Sequence, residues 1–276
     1  MDIRVLGPLT AEERGTSIVP SAGKPRQILA LLAVCANEVV PVPKLIEEIW
    51  GAQMPRSAMT TLQTYILQLR RLLAGALPPQ SPVTAKDVLV TRHGGYLLAL
   101  PPESVDVQVY DRLVSEGRTA FESGDDRTAS AVYRRALGIW RGTALVDVQV
   151  GPILDIELAR LEESRLGVLE RRIEAELRLG LHAELLTELI GLTKRHQLHE
   201  GLHAQCMTAL FRSGRRWQAL EIFQELRKRL VRELGLEPSP RLQLIHQAVL
   251  SGDPGLDFAD GGVRARRIPA SASPAA

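Results

Sequence analysis

Five polar side chains recur on one side of a helical stretch: Thr60, Thr61, Thr64, Gln68 and Arg71, with Ser57, Gln63 and Arg70 at its margins. Their chemistry is that of duplex recognition. Short hydroxyls approach phosphates and base edges closely, glutamine matches the edge of adenine, and arginine matches guanine in the major groove. A second candidate contact follows at Arg92-His93-Gly94-Gly95, where a tight turn carries Arg92 and His93 toward a minor groove or a phosphate. The formal net charge is only +2, so the whole chain has no basic signature. Between Trp50 and Leu98, however, the basic residues are Arg56, Arg70, Arg71, Lys86 and Arg92, and the sole acid is Asp87. The positive footprint is therefore local.

Other chemistries find less support. In His196-Gln197-Leu198-His199-Glu200-Gly201-Leu202-His203, His199 and His203 have the i, i+4 spacing of a metal pair on one helix face. Gly201 interrupts that face, and no carboxylate stands ready as a third ligand. A junction between helices explains the cluster better. Gly94-Gly95 lacks the Lys-Ser/Thr and helix of a phosphate loop, and no Gly-x-Ser-x-Gly occurs. Cys35 and Cys206 lie far apart in apolar helical patterns and read as small core residues. No catalytic residue, metal site or cofactor is expected, and the chain is read as a non-enzyme.

The elements that must position these residues emerge from periodicity. The chain has 276 residues, 45% hydrophobic and 24% charged, enough for one large or two ordinary domains. No apolar run is long enough to span a membrane, and the N-terminus lacks a signal-peptide pattern. A cytoplasmic, nucleoid-associated protein is expected. Ile3–Gly7 and Ser17–Val19 read as short strands, and a helix starts near Pro25. A second helix runs from Pro43 to Trp50, and a loop Gly51-Ala52-Gln53-Met54-Pro55 follows. A third helix over 57–74 buries Leu62, Ile66, Leu69 and Leu73. Val83–Ala85 and Val88–Thr91 read as strands, and Tyr96–Leu100 returns from the turn. Strands, three helices and a hairpin in this order make a winged helix-turn-helix.

After Pro101-Pro102-Glu103-Ser104, read as a hinge, the pattern is helix after helix to about residue 250. Gly180 and Gly214 lie 34 residues apart, the tetratricopeptide period. Gly214, Ala219 and Phe223 echo Gly124, Ala129 and Tyr133, with Gly117 seven residues earlier. Leu185 and Leu189 form a degenerate copy after Gly180. Small residues let paired helices approach, and a large one fills the gap. An insertion around 142–152 is expected to lengthen the helix after it. Residues 251–276, rich in Gly, Pro, Ala and Ser with Arg264, Arg266 and Arg267, read as a disordered tail. The expected fold is an α+β winged helix-turn-helix (1–104) followed by an all-α tetratricopeptide-like repeat domain (105–250).

Three stretches carry a family resemblance. One is Leu45-Ile46-Glu47-Glu48-Ile49-Trp50 with Pro55 and Thr61-Leu62-Gln63-Thr64-Tyr65-Ile66, closing on Leu69-Arg70-Arg71-Leu72-Leu73. Another is Gly94-Gly95-Tyr96-Leu97-Leu98. The last runs from Ala209-Leu210-Phe211-Arg212-Ser213-Gly214-Arg215 to Glu233-Leu234-Gly235-Leu236-Glu237-Pro238. To about residue 254 the chain resembles a Streptomyces antibiotic regulatory protein of the compact kind. That resemblance implies an OmpR-type winged helix joined to a bacterial transcriptional activation domain. It implies activation of a secondary-metabolite gene cluster, by binding promoter direct repeats near the −35 region and recruiting RNA polymerase. A second protomer would sit beside the first on DNA. Thr60, Thr61, Thr64, Gln68 and Arg71 match the recognition face, and Arg92 the wing. The loop Gly51, Ala52, Gln53, Met54, Pro55 matches the segment facing polymerase, although it is less proline-rich than expected. Longer members add an ATPase or sensor domain, so control here is expected without nucleotide hydrolysis. The alternative is a helical-repeat adaptor that binds protein through its N-terminal domain instead of DNA.

Overall fold

A computed structural model describes residues 1–256 of the chain. They form two compact units, Met1–Arg172 and the residues from Ile173 onward. The first unit opens with β1 (Asp2–Arg4), β2 (Thr10–Glu13), β3 (Thr16–Ser17), α1 (Gly23–Val34), β4 (Val40–Pro41), α2 (Val42–Trp50) and α3 (Ala58–Ala76). It continues with α4 (Ala85–Val88), β5 (Leu89–Arg92), β6 (Gly95–Leu98), α5 (Asp106–Glu122), α6 (Asp126–Leu137) and most of α7 (Pro152–Arg178). One antiparallel sheet has the order β1-β2-β3, the other β4-β6-β5. The expected winged helix and helical repeats are both present.

Local differences have physical causes. Val83–Ala85 is not a strand. Thr84 instead caps the short α4, exchanging hydrogen bonds with Asp87 in a capping box. β2 and β4 are not signalled by the sequence: β2, Thr-Ala-Glu-Glu, is short and polar, and β4, only Val40–Pro41, is too short to show alternation and is held by pairing with β6. Helix α1 is more than amphipathic: Ile28 to Ala33 are all buried, so it runs through the core of the unit. Asn37 stops it in a left-handed conformation and clamps the Leu100 backbone with both ends of its amide.

The predicted hinge is a 3-10 turn, Pro102–Ser104, followed by Val105, which bridges to Ile3. The packing continues through it. Asp106 is buried and accepts from the Val5 and Leu6 amides at 2.8 and 3.0 Å. Burial raises its pKa, opposed by those two donors and by Arg141. Asp147 accepts from the Leu9 amide and pairs with Arg26. Most telling is Glu48 on α2, only 2% exposed. Its carboxylate accepts from Gly151, Ile153 and Leu154 at 2.7, 2.9 and 2.9 Å, and from Gln27 Nε2 at 2.7 Å. The helix-turn-helix thereby supplies the N-terminal cap of α7, satisfying amides that have no partner within that helix. The approach is so close that a Cβ on Gly151 would collide with the Glu48 carbonyl.

The repeat pattern holds at the level of backbone hydrogen bonds. Gly124, Gly180 and Gly214 all have φ near the left-handed region, at +80°, +82° and +72°. After each, the next amide reaches back to a carbonyl in the last turn of the preceding helix: Asp125 to Ala120, Leu181 to Glu176, Arg215 to Leu210. These glycines are needed for backbone conformation. A Cβ at any of them would meet open space, so the expectation of close helix approach fails there. It holds at Gly117, where a Cβ would lie 2.6 Å from the Tyr133 ring. The insertion precedes α7, which is indeed long at 27 residues.

The second unit contains the last turns of α7, then α8 (His182–Arg195), α9 (Glu200–Arg212), α10 (Arg216–Leu234) and α11 (Pro240–Ser251). Leu185, Leu189, Ala219 and Phe223 are buried in it as the repeat pattern requires. Gly235 ends α10 in a left-handed cap, and Glu237 then forms a two-pronged ion pair with Arg227. The predicted tail begins too early. Residues 251–256 complete α11 and a 3-10 turn, Pro254–Leu256, whose Leu256 carbonyl accepts from Arg212. The rest of that tail, with Arg264, Arg266 and Arg267, lies outside the described residues.

Replacing Glu48 by Ala leaves three helix-terminal amides without their acceptor and leaves Gln27 only its bond to the backbone carbonyl of residue 48. We expect a loss on the order of 2–4 kcal/mol, about 5–10 °C in the Tm of the first unit by circular dichroism. Glu48→Gln is expected to recover little, because its NH2 must face a donor whichever way the amide turns. In the second unit, burial lowers the pKa of His203, and it is the leading cause for His196 and His246 as well. The unfolded chain therefore binds protons first on acidification. Stability is complete above the ordinary histidine range and falls as pH drops through about 6.5. Thermal melts between about pH 7 and 5 should show this decline, with a shallower slope in His203→Gln.

Candidate nucleic-acid interface

Helix α3 carries the candidate contacts. Leu62, Ile66, Leu69 and Leu73 recur at helical spacing and are at most 2% exposed, which fixes the rotation of the helix against its unit. That rotation turns Thr60, Gln63, Thr64, Leu67 and Arg71 outward. Thr61 and Gln68 lie lower on the flanks, half-buried. Ser57 is exposed at the start of the helix, with a hydroxyl that does not cap it. Among the described residues no acid pairs with Arg71 or Arg92. The one acid of this stretch, Asp87, is held by the Thr84 hydroxyl and amide, whose donation keeps its pKa below the usual carboxylate range.

Arg70 is placed differently from its neighbour. Its guanidinium donates through Nε and Nη2 to the Leu89 carbonyl at 3.0 and 2.7 Å, and through Nη2 to Thr91 Oγ1 at 2.8 Å. Consecutive residues on a helix differ by about 100° in direction. Arg71 therefore points outward while Arg70 turns to the wing strand and binds its backbone. Periodicity puts Arg71 on the polar face and Arg70 at its margin, both as candidate contacts; the position of β5 gives Arg70 a protein partner instead.

The wing is β5 and β6, paired from Leu89↔Leu98 to Arg92↔Gly95. His93 and Gly94 form the two-residue tip, where Gly94, at φ +75°, takes the left-handed backbone that glycine tolerates. Arg92 and His93 are exposed there. Gly95 serves a separate purpose. A Cβ on it would lie 2.5 Å from the Val40 carbonyl, so its absence lets β4 close against β6.

The loop after α2 is set by aromatic packing. Trp50 stacks on Tyr65 of α3, with ring centroids 6.4 Å apart, and Lys24 Nζ lies 5.1 Å from the Trp50 ring. Gly51 breaks the helix at φ +52°, and Ala52, Gln53 and Met54 are exposed beyond it. Pro55 is half-buried, and its carbonyl accepts from the Ala58 amide at the start of α3.

The histidine cluster has structural roles. His199 is the N-cap of α9, its Nδ1 accepting from the Leu202 amide, and His203 is buried with Nδ1 3.0 Å from the His199 carbonyl. Burial raises the thiol pKa of Cys35 to about 11 and of Cys206 to about 12, so both are held as thiols.

Comparison with known proteins agrees with this architecture. Residues 105–250 match the family model for the bacterial transcriptional activator domain. Residues 16–98 match that for the C-terminal domain of transcriptional regulatory proteins. The chain is 56% identical over 257 residues to Regulatory protein DnrI of Streptomyces peucetius, covering 93% of this chain and 94% of that one. It is 33% identical over 273 residues to Transcriptional regulator RedD of Streptomyces coelicolor, covering 99% and 77% respectively. The solved structure of Mycobacterium tuberculosis EmbR, in complex with a low affinity phosphopeptide, matches with a TM-score of 0.84 at 29% identity. That match covers 93% of this chain and 68% of the EmbR chain. With a winged helix, helical repeats and relatives matched along almost its whole length, the chain belongs to the Streptomyces antibiotic regulatory protein family of transcriptional regulators.

Proposed function

We propose that this protein activates a secondary-metabolite (antibiotic) biosynthetic gene cluster by binding promoter direct repeats near the −35 region and recruiting RNA polymerase. The observation that carries this reading is the outward face of α3, polar and free of acids, with a basic-tipped wing fastened beside it. In this reading Thr60, Gln63, Thr64 and Arg71 enter the major groove, with Thr61 and Gln68 at its edges. Ser57 meets a phosphate at the start of the helix, where backbone amides favour an anion. Arg92 and His93 reach the adjacent minor groove or its phosphates. Arg70 acts through the wing instead of touching DNA.

Activation needs no covalent chemistry. The exposed Ala52, Gln53 and Met54, with Gly51 and Pro55 framing them, present a surface to polymerase. The helical region, 105–250, adds protein contacts of the kind repeat surfaces make. Direct repeats call for a head-to-tail pair of protomers, whose neighbouring sites raise affinity through effective concentration. Such a protein works on the chromosome, and so in the cytoplasm at the nucleoid.

Footprinting on DNA upstream of its own gene neighbourhood, at several salt concentrations, tests the reading. We expect two protected blocks about one helical turn (~10–11 bp) apart, fading steeply with salt. No protection at any salt by folded protein overturns the reading and favours the adaptor. The arginines separate by role. Arg71→Ala should weaken binding about 5- to 100-fold and relax preference at one base position. Arg92→Ala should flatten the log–log salt slope by about 0.9. Arg70→Ala should lose protection at the wing's position while keeping base preference under α3.

A further inference from the structure

Leu67 is an aliphatic residue on the outward face of α3, midway along the helix. It is 49% exposed, one turn beyond Gln63 and Thr64 and one turn before Arg71. A single exposed leucine is ordinary on a protein surface. This one sits midway along a face that also carries hydroxyl, amide and guanidinium groups. It lies farther from the buried stripe than Gln63 or Thr61 does, by roughly 20–40° of helix rotation. The side chain has no donor or acceptor, so against an exocyclic amine or a carbonyl it would leave that group unpaired. The apolar feature that a major groove presents is the 5-methyl group of thymine.

Its neighbours strengthen this assignment. Thr64 donates its hydroxyl proton to the Thr60 carbonyl at 3.0 Å, leaving the oxygen to act only as an acceptor toward a base. Gln63 is suited to adenine, whose paired thymine carries its methyl into the same groove. From Gln63 to Arg71 the helix rises about 12 Å, the length of three or four base pairs. We propose that Leu67 packs on a thymine methyl group and is a specificity-determining residue of the recognition helix. The proposal rests on the DNA-binding reading given above.

The experiment uses the full chain and duplexes of the footprinted sequence, with fluorescence anisotropy as the readout. Each thymine is replaced singly by deoxyuridine, which deletes only the methyl group. Wild type should lose about three- to five-fold in affinity at one position of each repeat. Leu67→Ala should bind the thymine duplex more weakly by a similar factor and lose nothing further on uracil substitution there. Leu67→Met, which keeps an apolar side chain, should retain sensitivity to the methyl group. The proposal is overturned if no thymine methyl affects wild-type binding. It is equally overturned if Leu67→Ala binds like wild type or keeps the full methyl sensitivity. Failure of folded wild-type protein to bind any duplex from the upstream region would instead remove the DNA-binding reading itself.

Discussion

A carboxylate taken out of water must find donors or become protonated, and Glu48 finds four. Three of them are amides at the start of α7, whose partial positive charge suits a negative group. Much of the first unit depends on that arrangement. Glu48 sits two residues before Trp50, which stacks on Tyr65 and so sets the end of α2 against α3. Asp106 and Asp147 work on the same principle in the opposite direction, accepting amides from the N-terminal strand region. Three acids from distant stretches thus join the winged helix to the first helices that follow it. A division along the sequence need not be a division in packing.

The same physics separates two adjacent arginines. Among the described residues no acid neutralises Arg71, which faces outward, whereas Arg70 has its fork committed to the backbone of β5 and to Thr91. A guanidinium bound in this planar way orients its partner as well as attracting it. The wing therefore has a defined position relative to the recognition helix before any duplex arrives. Loss of freedom on binding is smaller when such parts are preorganised.

In the helical region, glycine acts in two ways that the sequence presents identically. At Gly124, Gly180 and Gly214 the demand is a left-handed backbone that closes the last turn of a helix. At Gly117 the demand is room for the Tyr133 ring between α5 and α6. The period of 34 is visible in the chain because these turns recur. The distinction between conformation and clearance depends on where the neighbouring helix lies.

The sequence by itself determined the order of elements, the three main helices of the winged helix, the hairpin turn and the repeat spacing. Those features follow from local rules: helical periodicity, proline and glycine at breaks, and apolar stripes. It also placed the polar face of α3, because a buried stripe implies its opposite. The tertiary structure decided the rest. It assigned Arg70 to the wing, Leu67 to the outward face, His199 to a cap, and Glu48 to a helix more than a hundred residues away. It added β2 and β4, strands too short to signal themselves, and it turned Val83–Ala85 into the approach to a capped helix. Each of these depends on a partner brought close only by folding, and a partner's position is not written in local periodicity.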